Sequence, residues 1–442
     1  MFKHPLLSSI STLILCTFVV TGCVGSNTGE AGQASAAPAE SSAPTIVTST
    51  PRTTATPAKD SSVKPTATVP PATDSIKDSI AATIAGMSLE DKIGQMLLVG
   101  IEGTALDANA KRMITEDKVG GIILYANNIS DLPGMVKLIN QLKNSNTNNA
   151  APLFISVDQE GGKVSRLPKE FVAIPSNKAV GDTGKVSLAR TMGQLLGKEL
   201  RLSGFNMDFA PVLDVNSNPK NPVIGDRSFG SAASLVTKMG IAEMTGLRSA
   251  GVIPVVKHFP GHGDTGVDSH LELPVVNKTP AQLSKLEWIP FQAAVREQAE
   301  AVMVAHILFP KLDPDKPASL SKPIIGDLLR TKMGFKGVVI TDDLTMGAIM
   351  KHYSLSTAAV DTIKAGSDIL LIAHGYDNER AVVEQIQHSV EDGTIPESRI
   401  DESVLRILTL KNQYKLSDKQ IQVPALTSLN QEIRSWRKQI LK

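Results

Sequence analysis

The sequence predicts a (β/α)8 TIM barrel, and three observations predict it. Eight short apolar runs rich in β-branched residues alternate with longer amphipathic stretches over about 300 residues. The runs are apolar nearly throughout, as parallel strands covered on both faces must be. Six of them end in, carry or are followed by a charged or imidazole side chain at the C-terminal end, the end where a barrel gathers its active site. An open doubly wound sheet is the competing arrangement, and the polar ends favour the barrel.

The elements follow in order. Ser88-Leu89-Glu90-Asp91 reads as a capping box opening a helix. The first four strands are expected at 97–101, 121–125, 153–158 and 207–214, and the last four at 252–258, 301–307, 337–342 and 368–373. The clearest helices between them are expected at 188–202, 232–248, 280–297 and 356–365. The third strand then ends at Asp158, the fourth at Asp214 and the fifth at Lys257-His258. The sixth carries His306, the seventh ends at Asp342, and His374 follows the eighth.

The N-terminus belongs to no fold. Lys3 and an apolar run ending near Val20 read as a signal peptide over residues 1–23. Val20-Thr21-Gly22-Cys23 is similar to the lipobox of bacterial lipoproteins, in which the Cys is lipidated; an ordinary signal peptide with a chance Cys is the alternative. Residues 24–74 are Ala, Ser, Thr and Pro with few large apolar side chains, a composition expected to form a disordered tether. The catalytic barrel is assigned to 75–418 and a basic, helical tail to 419–442, with Arg434, Trp436, Arg437 and Lys438. The expected location is extracytoplasmic, on the cell membrane through a lipid anchor at Cys23. The chain has two cysteines, Cys16 and Cys23, so the barrel has neither disulfides nor thiolate metal sites. A net charge of +1 gives no reason to expect nucleic acid as a partner. At 4% aromatics, a flat aromatic platform for gripping polymers is not expected either.

Four segments carry the chemistry. KHFPGHGDTGVDSH, Lys257 to His270, leaves a strand and enters a loop with three glycines. Its histidines and aspartates admit a metal site, but helical metal-ligand spacing is absent, and none is assigned. Asp268 and His270 lie two apart, so in an extended loop they share a side. A carboxylate beside an imidazole fixes its tautomer and favours the protonated ring, which suits a proton donor; a plain loop salt bridge fits the same residues equally well. GVVITDDLTMGAI, Gly337 to Ile349, puts Asp342 at a strand end, pointing into the barrel mouth as a nucleophile or base. Asp343 is expected to point away and to cap the next helix. SVDQEGGKVSRL, Ser156 to Leu167, offers Asp158 and Arg166, residue types that grip sugar hydroxyls. GDRSFG supplies Arg227 in a loop.

Together these segments resemble glycoside hydrolase family 3, in its branch of bacterial β-N-acetylglucosaminidases (β-hexosaminidases), from about Ser88 to Asn412. The resemblance implies that Asp342 attacks the anomeric carbon and that His270, partnered by Asp268, is the acid/base. It implies that Asp158, Arg166, Arg227, Lys257 and His258 hold the terminal N-acetylglucosamine, and that no cofactor is needed. The implied substrate is N-acetylglucosamine linked to N-acetylmuramic acid in peptidoglycan fragments or muropeptides. Many members carry a second α/β domain; about 30 residues follow Asn412, so a single catalytic domain is expected. Three alternatives stand beside this reading: a broader β-hexosaminidase or β-glucosidase, a phosphorylase of the same family, and a lipid-anchored muropeptide-binding protein without catalysis.

Overall fold

The computed structural model describes residues 74–441. The expected signal peptide, Cys23 and nearly all of the expected tether lie outside the described residues.

Eight parallel strands form one sheet in the order β7-β6-β5-β4-β3-β2-β1-β8. They are β1 Leu97–Gly100, β2 Gly121–Ile123, β3 Phe154–Val157 and β4 Met207–Asp208. β5 Ile253–Phe259, β6 Ala301–Val304, β7 Val338–Thr341 and β8 Leu370–Ile372 complete the set. The ends meet through an Ile340–Ile369 bridge, in which Thr341 N–H donates to the Ile369 carbonyl at 3.0 Å. The sheet is therefore the barrel the apolar runs predicted, and its strands are buried along their whole lengths.

Several strands are shorter than expected: β2 and β8 lose end residues, and β6 stops at Val304, so His306 lies beyond the strand rather than on it. Two elements differ for a visible reason. β4 stops at Asp208 because Pro211, with no N–H, cannot extend the ladder. The chain beyond it still runs beside β5, with Leu213 N–H donating to the Lys257 carbonyl at 2.7 Å, so Asp214 reaches the mouth without belonging to a strand. The helix expected at 280–297 is two helices, Pro280–Leu283 and Trp288–Arg296. Pro290 is tolerated only in a first turn, where its missing N–H has no partner to lose, so the second helix must start close before it.

Ser88 and Asp91 form the predicted capping box at the start of Leu89–Gln95. Near the C-terminus, helix Thr427–Arg437 turns Leu429, Ile433 and Trp436 inward, spaced as one apolar stripe. The Trp436 indole N–H donates to the Leu188 carbonyl at 3.2 Å, docking this helix on Val186–Ser203. Arg434 and Lys438 stay in solvent.

Candidate active site

The floor of the barrel mouth is a buried ion network. Glu160, two residues beyond Asp158 on the segment leaving β3, is 1% exposed. Arg227 comes from the short turn Gly225–Arg227 and meets it through Nε at 2.8 Å and Nη2 at 2.7 Å. Lys257, near the end of β5, bridges Glu160 at 2.7 Å and Asp158. Burial would raise the Glu160 carboxyl, but Arg227 and Lys257 outweigh it and hold the group far below the usual carboxylate range. Gln159 Oε1 accepts the Arg166 N–H at 2.8 Å and so fixes the loop that carries Arg166. Arg166 Nε is buried without a partner among the described residues, a spare donor beside the cavity.

Asp214 organises the next wall. It is fully buried and accepts from His258 Nδ1 at 2.6 Å and from the His262 N–H at 2.6 Å. His258 thus carries its hydrogen on Nδ1 and presents Nε2 to Arg227 Nη2 at 3.3 Å. His262 is buried between Thr265 and Ser269, and burial, foremost, lowers it to about 4.

Asp342 follows β7 directly and opens into the mouth. Burial alone would raise it. The polar edges of His306 and His258 and the Asp343 N–H, 2.9 Å from Asp342 Oδ1, outweigh burial and keep it below the usual carboxylate range. Asp343 corrects an expectation. It lines the same cavity, and its Oδ1 accepts from Thr345 N–H, Thr345 Oγ1 and Ala373 N–H, tying the end of β7 to the end of β8. The next helix, Gly347–Met350, starts too late to be capped by it. His306 supports this corner from below, donating from Nε2 to the Asp343 carbonyl at 2.9 Å.

The loop after β5 carries the dyad. His270 Nδ1 lies 2.7 Å from Asp268 Oδ1, which also accepts the His270 N–H at 2.9 Å. Burial would raise Asp268, but these contacts prevail and lower it. The carboxylate can only accept, so the hydrogen sits on Nδ1 and Nε2 is left for the cavity. The loop's glycines differ in kind: a Cβ on Gly263 would lie 1.7 Å from the Val215 carbonyl oxygen, so this residue is a close-packing contact, whereas Gly266 has open space. Among the described residues, no group of three or more His, Cys, Asp or Glu side chains is arranged to hold a metal.

Asp158, Arg166, Arg227, His258, His270 and Asp342 all line one cavity of about 190 Å³. Lys257 and Asp268 stand just behind it, each held to a lining residue. Every barrel residue singled out in the sequence for a site is thus in or against this mouth. Sequence reasoning missed Glu160, and it noted Asp214 only as a strand end. It also missed the stack of Tyr125 on His374, with ring centroids 5.4 Å apart on the cavity wall. For Glu160 a signal existed: it lies two residues from Asp158 and so faces the same way on an extended segment.

Residues 88–410 match the family described as "Glycosyl hydrolase family 3 N terminal domain". The chain belongs to glycosyl hydrolase family 3. Over 332 residues it is 37% identical to the beta-hexosaminidase LpqI of Mycobacterium tuberculosis, covering 74% of this chain and 83% of that one. It is 34% identical to beta-hexosaminidase A of Pseudoalteromonas piscicida, matching 70% of this chain but spanning only 56% of that longer relative. Among solved structures it is similar to a family 3 beta-N-acetylglucosaminidase from Paenibacillus sp. str. FPU-7. There the identity is 41% and the TM-score 0.76, over 80% of this chain and 69% of that one.

Proposed function

We propose that this family 3 chain is a retaining exo-β-N-acetylglucosaminidase that removes terminal N-acetylglucosamine from peptidoglycan fragments. One observation carries the reading: Asp342 and the His270–Asp268 dyad open on the same small cavity, opposite a wall of sugar-binding residue types. At about 190 Å³ the cavity is below the roughly 300–1,000 Å³ typical of drug-sized ligands, which suits one terminal sugar rather than an internal stretch of chain. The names of the hexosaminidase relatives support the same sugar.

In this reading a carboxylate oxygen of Asp342 attacks the anomeric carbon as the glycosidic C–O bond breaks. His270 Nε2 gives its proton to the departing oxygen. Water then attacks the glycosyl-enzyme, His270 takes back a proton, and Asp342 is released. Asp158 and Arg166 take sugar hydroxyls, and Arg227, Lys257 and His258 complete the grip. Asp268 holds the His270 tautomer. Lipidation at Cys23 and a tether to the cell membrane belong to the same proposal, with muropeptides as the extracytoplasmic substrate.

The test is hydrolysis of N-acetylglucosaminyl-N-acetylmuramic acid by the native chain and by Asp342→Ala. Release of N-acetylglucosamine by the native chain and its near-complete loss in the variant are expected. Muropeptide binding without sugar release would point instead to a binding protein. N-acetylglucosamine 1-phosphate formed on adding phosphate would point to a phosphorylase, and equal rates on glucosides to a broader glycosidase.

A further inference from the structure

The loop that carries His270 is clamped by the segment that carries Asp342. Gly347 N–H donates to the His270 carbonyl and Ala348 N–H to the Ser269 carbonyl, each at 3.2 Å. Beside these, Glu272 accepts from His352 Nε2 at 2.6 Å and meets Lys351 Nζ at 3.4 Å. On the other side, Ser269 Oγ lies 3.2 Å from His262 Nε2, which ties the loop to the Asp214 wall. The dyad itself is largely solvent-facing, with the His270 side chain 64% exposed, so little packing holds it. Its position depends on these few polar contacts.

Gly347 has an ordinary backbone conformation, so its lack of a side chain is not explained by φ. Space explains it. A Cβ there would lie 2.7 Å from the His270 carbonyl oxygen and 2.9 Å from that of Leu271. Both obstacles are backbone atoms of the dyad loop, so a side chain at 347 forces the dyad loop and the Asp342 segment apart.

We infer that Gly347 is a positioning residue for the proton donor: it lets the dyad loop dock on the nucleophile segment, and the Glu272–His352 pair clasps that docked position. This rests on reading His270 as the acid. The backbone contacts place the two catalytic segments against each other.

The test compares Gly347→Ala with the native full-length chain on two N-acetylglucosaminides. A methyl glycoside needs its leaving oxygen protonated; a dinitrophenyl glycoside does not. The expected result is a loss of at least about tenfold in kcat/KM on the methyl glycoside and less than about threefold in kcat/KM on the dinitrophenyl one, because kcat/KM reports the glycosylation step that precedes the action of His270 as base. Equal loss on both substrates, or none on either, overturns the inference. The double variant Glu272→Gln/His352→Gln leaves the backbone alone and should lose about two- to fivefold, on the methyl glycoside only. It decides the matter if Gly347→Ala does not fold, and an unchanged methyl-glycoside rate there overturns the inference. His270→Ala runs in parallel. If it shows no leaving-group selectivity, the acid assignment itself fails; if it does and the clamp variants do not, the clamp alone fails.

Discussion

Replacing Glu160 by Gln should unsettle the fold and the proposed sugar site together. Glu160 is buried under the mouth with two cationic partners and three contacts of 2.7–2.8 Å. Removing one member of a buried ion pair costs about 3–5 kcal/mol, because the remaining charge stays out of water. Gln keeps the shape and one acceptor, which argues for the lower end, about 3 kcal/mol. At about 2 °C per kcal/mol for a large domain, the melting temperature should fall by about 6 °C. Lys257 keeps Asp158 as a partner, but Arg227 loses both of its charged contacts to this carboxylate, so KM for a chromogenic N-acetylglucosaminide should rise by about tenfold. The pH dependence follows from the lowered carboxyl. An unfolded chain takes up the proton near the ordinary value of 4.5, whereas the folded chain resists until far lower. The stabilisation is therefore complete above about pH 4.5 and fades as pH falls below it. Urea unfolding of native and Glu160→Gln chains should show a constant gap from pH 5.5 to 8 that narrows in acid. A gap under about 1 kcal/mol at pH 7, with KM unchanged, would refute the view that Glu160 organises this floor.

Asp214→Asn leaves His258 with a weaker, ambiguous partner, and kcat/KM should fall about 10- to 100-fold, the worth of one hydrogen bond to a charged group; a loss under threefold in steady-state assays would count against it. Trp436→Ala should destabilise the domain by about 3–5 kcal/mol in urea titrations, since the indole is 3% exposed and anchors the last helix. Glu199 is raised by burial from the ordinary 4.5 to about 8, so the unfolded chain ionises first and stability falls as pH rises through that interval. Glu199→Gln should remove a slope worth on the order of 4–5 kcal/mol between pH 5 and 8.5, and an unchanged slope in urea midpoints would refute the assignment.

The barrel was legible because a strand buried on both faces leaves a mark that needs no partner to be read: a short, wholly apolar run. In the fourth strand and the split helix, where expectation overshot, the cause was local and visible: Pro211 just beyond the strand and Pro290 in the helix. The strand-end polar residues were legible for the same reason, since barrel geometry gathers them on one face. Their partnerships were not. Glu160 acquires its role only because Arg227, 67 residues away, folds onto it. Asp343 looked like a helix cap because Asp at a strand end often is one; the Ala373 N–H beyond β8 claimed it instead. Gly347 gave no signal at all. Its importance is an absence of atoms next to a loop that is distant in sequence.

The buried carboxyls show why such partnerships decide the chemistry. Glu160, Asp214, Asp208 and Glu243 are all shielded from water, yet they split into two kinds. Glu160 and Asp214 are lowered because cationic or N–H donors face them closely enough to outweigh burial. Asp208 and Glu243 are raised well above the usual range by burial, and three of their four oxygens have no partner among the described residues. An unpaired buried carboxyl gives up its charge rather than bear the desolvation. Asp342 is answered locally in the same way: burial would raise it, and the nearby His306 and His258 imidazoles and the Asp343 N–H outweigh burial and lower it.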